Sequence, residues 1–268
     1  MKILLTLPTV LATALLATAP ARAHDLWILP SATTFSGETA WATFDAAVGN
    51  DKFYFNHRPL SLEGLIIEAP SGLRLEPANP FKGELRSSFD LKLTDAGTYR
   101  VAMVRDGLTA MWKENGKLRR WFGTADAYAA NVPANAQDLK VQERATRIET
   151  FVTKGAPTDV PLVNHGLALA GDTHPNDLYN GETARFVLML DGKPLPGTDV
   201  EIVPEGSRYR DTVKELIVST DAQGRFDMIW PAPGRYWLHA EHRGRVTDEK
   251  SPAGERLSAY AVTLEVLP

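Results

Sequence analysis

A histidine at position 24 directly follows Ala19-Pro-Ala-Arg-Ala23, a small-residue run of the A-x-A type at which signal peptidases cut. A cut after Ala23 would leave His24 with an imidazole and a free α-amine on one residue, able to chelate a single ion. The α-amine has a reference pKa of ~7.7 to 8.0, so it gives its proton up to a metal near neutral pH far more readily than a lysine does. Nitrogen donors of this kind suit Cu(II), Ni(II), Co(II) or Zn(II). The plainer reading is that the peptidase cuts where small residues fall and the residue that follows is accidental.

Other histidines could complete such a site. His57 lies in the aromatic run Phe53-Tyr-Phe-Asn-His-Arg-Pro-Leu60, and His174 in Gly171-Asp-Thr-His-Pro-Asn-Asp-Leu-Tyr179, where Pro175 restricts the backbone before it. Taken singly, each is more often a structural polar residue than a ligand; converging with His24, they would make a closed site. Asp25, Asp45 and Asp51 are candidate carboxylate ligands or partners that orient an imidazole, and Asp45 ranks first. His165 is a further loop candidate, whereas His239 and His242 read as solvent-facing strand and turn residues. Cu(I) carriage is disfavoured, because Met103, Met111, Met189 and Met228 are scattered. The tryptophans Trp112, Trp121, Trp230 and Trp237 recur at strand periodicity and read as core before they read as a sugar platform.

The elements that must position these groups are strands. Gly64-Leu-Ile-Ile-Glu68 precedes a Pro70-Ser-Gly72 turn, and Tyr99-Arg-Val-Ala-Met-Val104 precedes Asp106-Gly107. Leu108–Lys113 and Lys117–Phe122 flank Glu114-Asn-Gly116, and Asn-Gly supplies the positive φ angles of a type I′ hairpin. Tyr99 in Asp95-Ala-Gly-Thr-Tyr99 and Tyr236 in Pro233-Gly-Arg-Tyr236 read as tyrosine corners of β-sandwiches. Residues 124–176 are less regular and leave room for one short helix and a strand over 146–153. Strand patterns return from Gly181 to Leu267, with turns at Asp191-Gly192 and Thr220-Asp-Ala-Gln-Gly224. The expected architecture is all-β, with two β-sandwich domains over 24–153 and 178–268, joined by 154–177, behind a signal peptide at 1–23.

The apolar run Ile3–Thr18 is 16 residues long and contains Pro8, shorter than the ~20 residues of a membrane-spanning helix, so a cleaved leader is expected rather than an anchor. There is no cysteine, hence no disulfide and no lipidated N-terminal cysteine. Without residues 1–23 the chain carries 27 basic and 33 acidic side chains, a net charge of −6 that argues against a nucleic-acid partner. No G-x-S-x-G, Walker A, G-x-G-x-x-G, H-E-x-x-H or EF-hand pattern occurs, so the sequence points to no reaction and the chain reads as a non-enzyme.

Several strings fall together: His24-Asp-Leu-Trp27, Asp95-x-Gly-x-Tyr99, Thr173-His-Pro-Asn-Asp-Leu178, Leu190-Asp-Gly-Lys-Pro-Leu195 and Thr220-Asp-x-x-Gly224. With them the chain resembles the DUF4198 family of bacterial secreted proteins over essentially its whole mature length. The resemblance implies a periplasmic protein linked to nickel or cobalt uptake, often encoded beside TonB-dependent receptors. It also implies a second domain similar to carboxypeptidase-regulatory or Cna-B sandwiches, and histidines at 24, 57 and 174. The expected cofactor is a transition metal ion, Ni, Co or Cu, and the expected partners are that ion and an outer-membrane receptor or inner-membrane transporter. Two readings compete with metal capture: a copper oxidase built on a His24 brace, and a metal-free sandwich that binds a glycan or protein.

Overall fold

In the computed structural model, residues 24–268 are described, and the expected signal peptide at 1–23 lies outside them. The described chain is built of strands, with one short helix, Ala125–Asn131, and one 3-10 turn, Ser207–Tyr209. The all-β expectation holds. Three sheets stack in layers. A five-stranded sheet holds Asp25–Pro30, Ala40–Gly49, Ser87–Leu93 and Ala78–Lys82 in that order, with Arg58–Pro59 paired to the far end of Ala40–Gly49. A ten-stranded sheet forms the middle layer, and a four-stranded sheet centred on Thr183–Leu190 lies on the other side.

The middle sheet takes strands from both expected domain spans. Gln137–Lys154 pairs antiparallel with Gly97–Glu114 on one edge and parallel with Glu255–Val266 on the other, and Glu255–Val266 in turn pairs with Gly234–Arg245. Strand periodicity assigns its two faces to two cores. Met103, Ile148, Ala261, Trp237 and Val203 pack against the five-stranded sheet around Trp27, Phe44 and Phe89. The alternate residues Phe151, Val262, Leu238, Tyr236 and Ile202 pack against Phe186, Phe226 and Trp230 of the four-stranded sheet. Burying a side chain of this size contributes roughly 2–3 kcal/mol, so the two cores hold the layers without disulfides.

The locally encoded features are present. Asn115 and Gly116 have φ of 51° and 74° and join Gly97–Glu114 to Lys117–Gly123 as a two-residue hairpin. The Tyr99 hydroxyl donates to the Asp95 carbonyl at 3.0 Å and accepts from the Asp95 N–H at 2.7 Å. The Tyr236 hydroxyl donates to the Ala232 carbonyl at 2.8 Å. The strand expected over 146–153 is longer, Gln137–Lys154, because its first half pairs with the extended hairpin. Trp112, Trp230 and Trp237 are buried, and Trp121 is half-buried against Tyr128.

Candidate metal centre

His24 and His57 are brought together by the end of one strand. Asp25 pairs with Gly49 on one edge of Ala40–Gly49, and Arg58 pairs with Val48 on the other, so the two preceding histidines converge from opposite edges. The loop between Gly49 and His57 is held by Asn56, whose side-chain oxygen accepts from the Asn50 N–H at 2.9 Å while its amide donates to Asp51 at 3.1 Å. Gly49 itself has no room for a side chain: a Cβ there would lie 2.4 Å from Trp27 and 2.6 Å from the Tyr54 carbonyl oxygen. The imidazole rings stack with centroids 3.8 Å apart and planes 9° from parallel. Both residues are exposed, and no hydrogen bond ties either ring to another described residue. Desolvation first, then the neighbouring His24 and Arg58, hold the His57 pKa below its ordinary value, so His57 stays a neutral lone-pair donor to lower pH.

Beneath His24 the chain is anchored by a buried lysine. Lys52 Nζ lies 2.9 Å from Asp25, 3.8 Å from Glu201 and 4.7 Å above the Trp237 ring. A buried ammonium persists only when paired, so this contact ties the His24 strand to the middle sheet. His239 stacks on Trp237, with centroids 5.0 Å apart, and lines the same cleft of about 520 Å³ as His24, Asp25 and Lys52. Burial foremost lowers its pKa, with Glu241, Glu201 and Asp25 opposing. The expectation that His239 faces solvent is therefore corrected: register places it opposite Glu201 and Ala261, under the edge of the five-stranded sheet. Only a three-dimensional pairing carries that information.

His174 lies elsewhere and is spoken for. Its Nδ1 accepts from the Asn176 N–H at 3.0 Å, which leaves the proton on Nε2, 3.0 Å from the Thr158 carbonyl and 3.1 Å from the Thr98 hydroxyl. Thr98 pairs with Thr153, whereas the His24 cleft reaches Thr146 and Ile148. Five to seven residues along a strand separate the two places by roughly 16–23 Å. Asp45 accepts from the Ser88 hydroxyl at 2.6 Å and lies 3.3 Å from Arg86, within the five-stranded sheet's outer face. His165 pairs with Asp106 at 3.1 Å on an exposed loop.

Among the described residues no three His, Cys, Asp or Glu side chains are grouped to hold a metal. The residues that remain for one are His24 and His57. Stacked rings direct their lone pairs along parallel planes, so rotation about the side-chain torsions of either residue is needed before both nitrogens face one ion. The exposure of both rings leaves that rotation open.

The sequence matches the family described as "Domain of unknown function (DUF4198)" over residues 21–244. The chain belongs to the DUF4198 family. No curated protein matches this DUF4198 chain. Among solved structures it is similar to the D0-D1 domain of intimin, at 13% identity over 90% of this chain and 97% of that one, with a TM-score of 0.23. It is also similar to Escherichia coli alpha-2-macroglobulin activated by porcine elastase, at 12% identity over 92% of this chain and 20% of that one, with a TM-score of 0.23. A third is dimeric latent PorU from Porphyromonas gingivalis, at 13% identity, 90% and 20% coverage and a TM-score of 0.19.

Proposed function

We propose that this DUF4198 protein is a periplasmic metal-binding protein that captures or delivers Ni(II), Co(II) or Cu(II) for uptake. Cleavage after Ala23 frees the His24 amine, and that amine, the His24 imidazole and the His57 imidazole supply three nitrogens. The observation that carries the reading is the 3.8 Å approach of two exposed imidazoles at the residue where the mature chain would start. Delivery to a membrane transporter or receptor is the expected fate of the ion. Among the described residues no helix is long and apolar enough to cross a membrane.

The test is calorimetric titration of Ni(II), Co(II), Cu(II) and Zn(II) into protein starting at His24, beside protein carrying one extra alanine before it. One-to-one binding that weakens on the order of 100-fold or more in the extended form supports the reading, since a ligand is lost. Equal binding in both forms, or none, overturns it. The same donor set, one amine and two imidazoles, is that of a copper brace, so an oxidase is the second reading. Reductant-dependent oxygen consumption by the copper-loaded protein would replace capture with catalysis.

A further inference from the structure

The middle sheet extends past the edge of the five-stranded sheet that covers it, and register determines which side chains share the uncovered part. One cross-strand row runs Arg105, Thr146, Ala259, Glu241, and the next runs Gly107, Arg144, Leu257, Arg243. Residues directly opposite one another point to the same face. Farther along, Met111 is flanked by Arg120 and Lys140. That face therefore gathers Arg105, Arg144, Arg243, Arg120 and Lys140 against Glu241 and Glu255, in a chain whose acidic residues outnumber its basic ones 33 to 29.

Five cations there face two carboxylates. Glu255 is shared between Gln142 at 2.6 Å and Arg243 at 3.4 Å, while Arg105 lies over the Phe122 ring. Arg144 is half-buried and has no hydrogen bond or close ion pair to another described residue. Burial chiefly pulls its pKa down, opposed by Glu241 and assisted by Arg105 and Arg243. Two clefts meet at this residue: the one of about 520 Å³ that begins at His24, and a second of about 460 Å³ lined by Met111, Arg120, Lys140 and Gln142. Both are of small-molecule size. Each row carries one apolar residue at its centre, Ala259 in the first and Leu257 in the second, and both line the cleft. Arg144 and Arg243 stand in one row on either side of Leu257, two strand spacings or about 10 Å apart at the backbone, a span that two long side chains can close onto one small ligand.

We infer that this double cleft binds a small polycarboxylate anion, with Arg144 and Arg243 holding its carboxylates and Leu257 and Ala259 meeting its carbon skeleton. Resting on the metal reading above, it gives that site a substrate class: an ion that arrives already held by a carboxylate chelator, with the chelator docked beside His24 and His57. Guanidinium groups fork onto carboxylate and phosphate alike, so the apolar Leu257 and Ala259 beside them decide for an anion with a carbon skeleton.

The test titrates citrate, and the weakly chelating tricarballylate, into metal-free protein starting at His24, with inorganic phosphate as a third probe and Ni(II) alone as a separate arm. Tricarballylate is expected to bind one-to-one and to weaken as salt rises. Arg144→Gln and Arg243→Gln should each weaken it about ten- to hundredfold, as loss of a charge-assisted hydrogen bond does. Arg144→Lys, which keeps the charge, should fall between, with circular dichroism matching the unaltered protein. No heat from either carboxylate, unchanged affinity in both glutamine variants, or tighter binding of phosphate than of tricarballylate overturns the inference. Should a glutamine variant fail to fold, Arg144→Lys and the salt series decide by the same criteria. Ni(II) binding with silent carboxylates leaves the metal reading standing and removes this one; carboxylate binding with silent Ni(II) does the reverse.

Discussion

His174 and the His24–His57 pair lie at different places along the same middle sheet, and they show how one residue type can be structural in one setting and available in the other. At His174 both ring nitrogens are satisfied, by Asn176 on one side and Thr158 and Thr98 on the other, and Asn176 itself reaches Thr153 at 3.0 Å. That imidazole fastens its own loop to the strand end at Thr98 and to the loop that carries Thr158. At His24 and His57 the rings stack on each other in the open, and neither has a hydrogen bond to another described residue. A ligand must have a free lone pair and room to turn, and hydrogen-bond saturation removes both. The difference separates a fastening from a candidate site more sharply than position in the sequence does.

Substitutions can break or sharpen that comparison. The largest expected effect is on stability: Lys52→Ala, which removes the 2.9 Å partner of Asp25 at the base of the His24 cleft, should cost about 3 kcal/mol in a denaturant titration, as removal of one partner from a buried ion pair does. His174→Ala should cost about 2 kcal/mol, since the Asn176 amide and Thr158 carbonyl lose their partner, and should leave metal affinity unchanged. A metal affinity that fell with His174 would erase the distinction. His57→Ala should show the opposite pattern, with metal affinity at least about tenfold weaker and stability within roughly 0.5 kcal/mol of the unaltered protein, as for an exposed residue with no special role.

Acidity should discriminate more finely. Burial holds the His174 pKa below its ordinary value in the folded state, so the folded protein binds its proton less readily than the unfolded chain. The stability contributed by neutral His174 is therefore complete above the unfolded value of ~6.5 and is lost as pH falls below it. A stability-versus-pH series from 7.5 to 5 should decline in the unaltered protein and less steeply in His174→Gln, with His57 and His239 supplying the remaining slope; parallel slopes in the two would mean that His174 contributes none of the decline. The smallest expected effect is that of Asp45→Asn, whose partners Ser88 and Arg86 are on the surface: less than about 0.5 kcal/mol by the same denaturant measurement.

Much of the fold was legible because it is encoded over a few residues. The Asn115-Gly116 hairpin, both tyrosine corners and the short helix Ala125–Asn131 each follow from local backbone preferences, and each is present. The partnership of Gln137–Lys154 with Glu255–Val266 was not legible: the paired residues Thr146 and Ala259 are far apart in sequence, and a strand's alternation of apolar residues does not name its neighbour. That pairing puts strands of both 24–153 and 178–268 into one sheet, and it also lifts Arg105, Arg144 and Arg243 onto one face.

The same division runs through the candidate site. Sequence alone picked out His24 behind an A-x-A run and His57 in an aromatic segment, because those signals are types and spacings along the chain. It could not tell that His57 meets His24 while His174 is hydrogen-bonded elsewhere, nor that His239 lies under a sheet edge in the His24 cleft. Local chemistry depends on covalent neighbours and is written in order; convergence depends on which strands pair and in what register, and the long-range burial of the two cores decides that only when the whole chain folds.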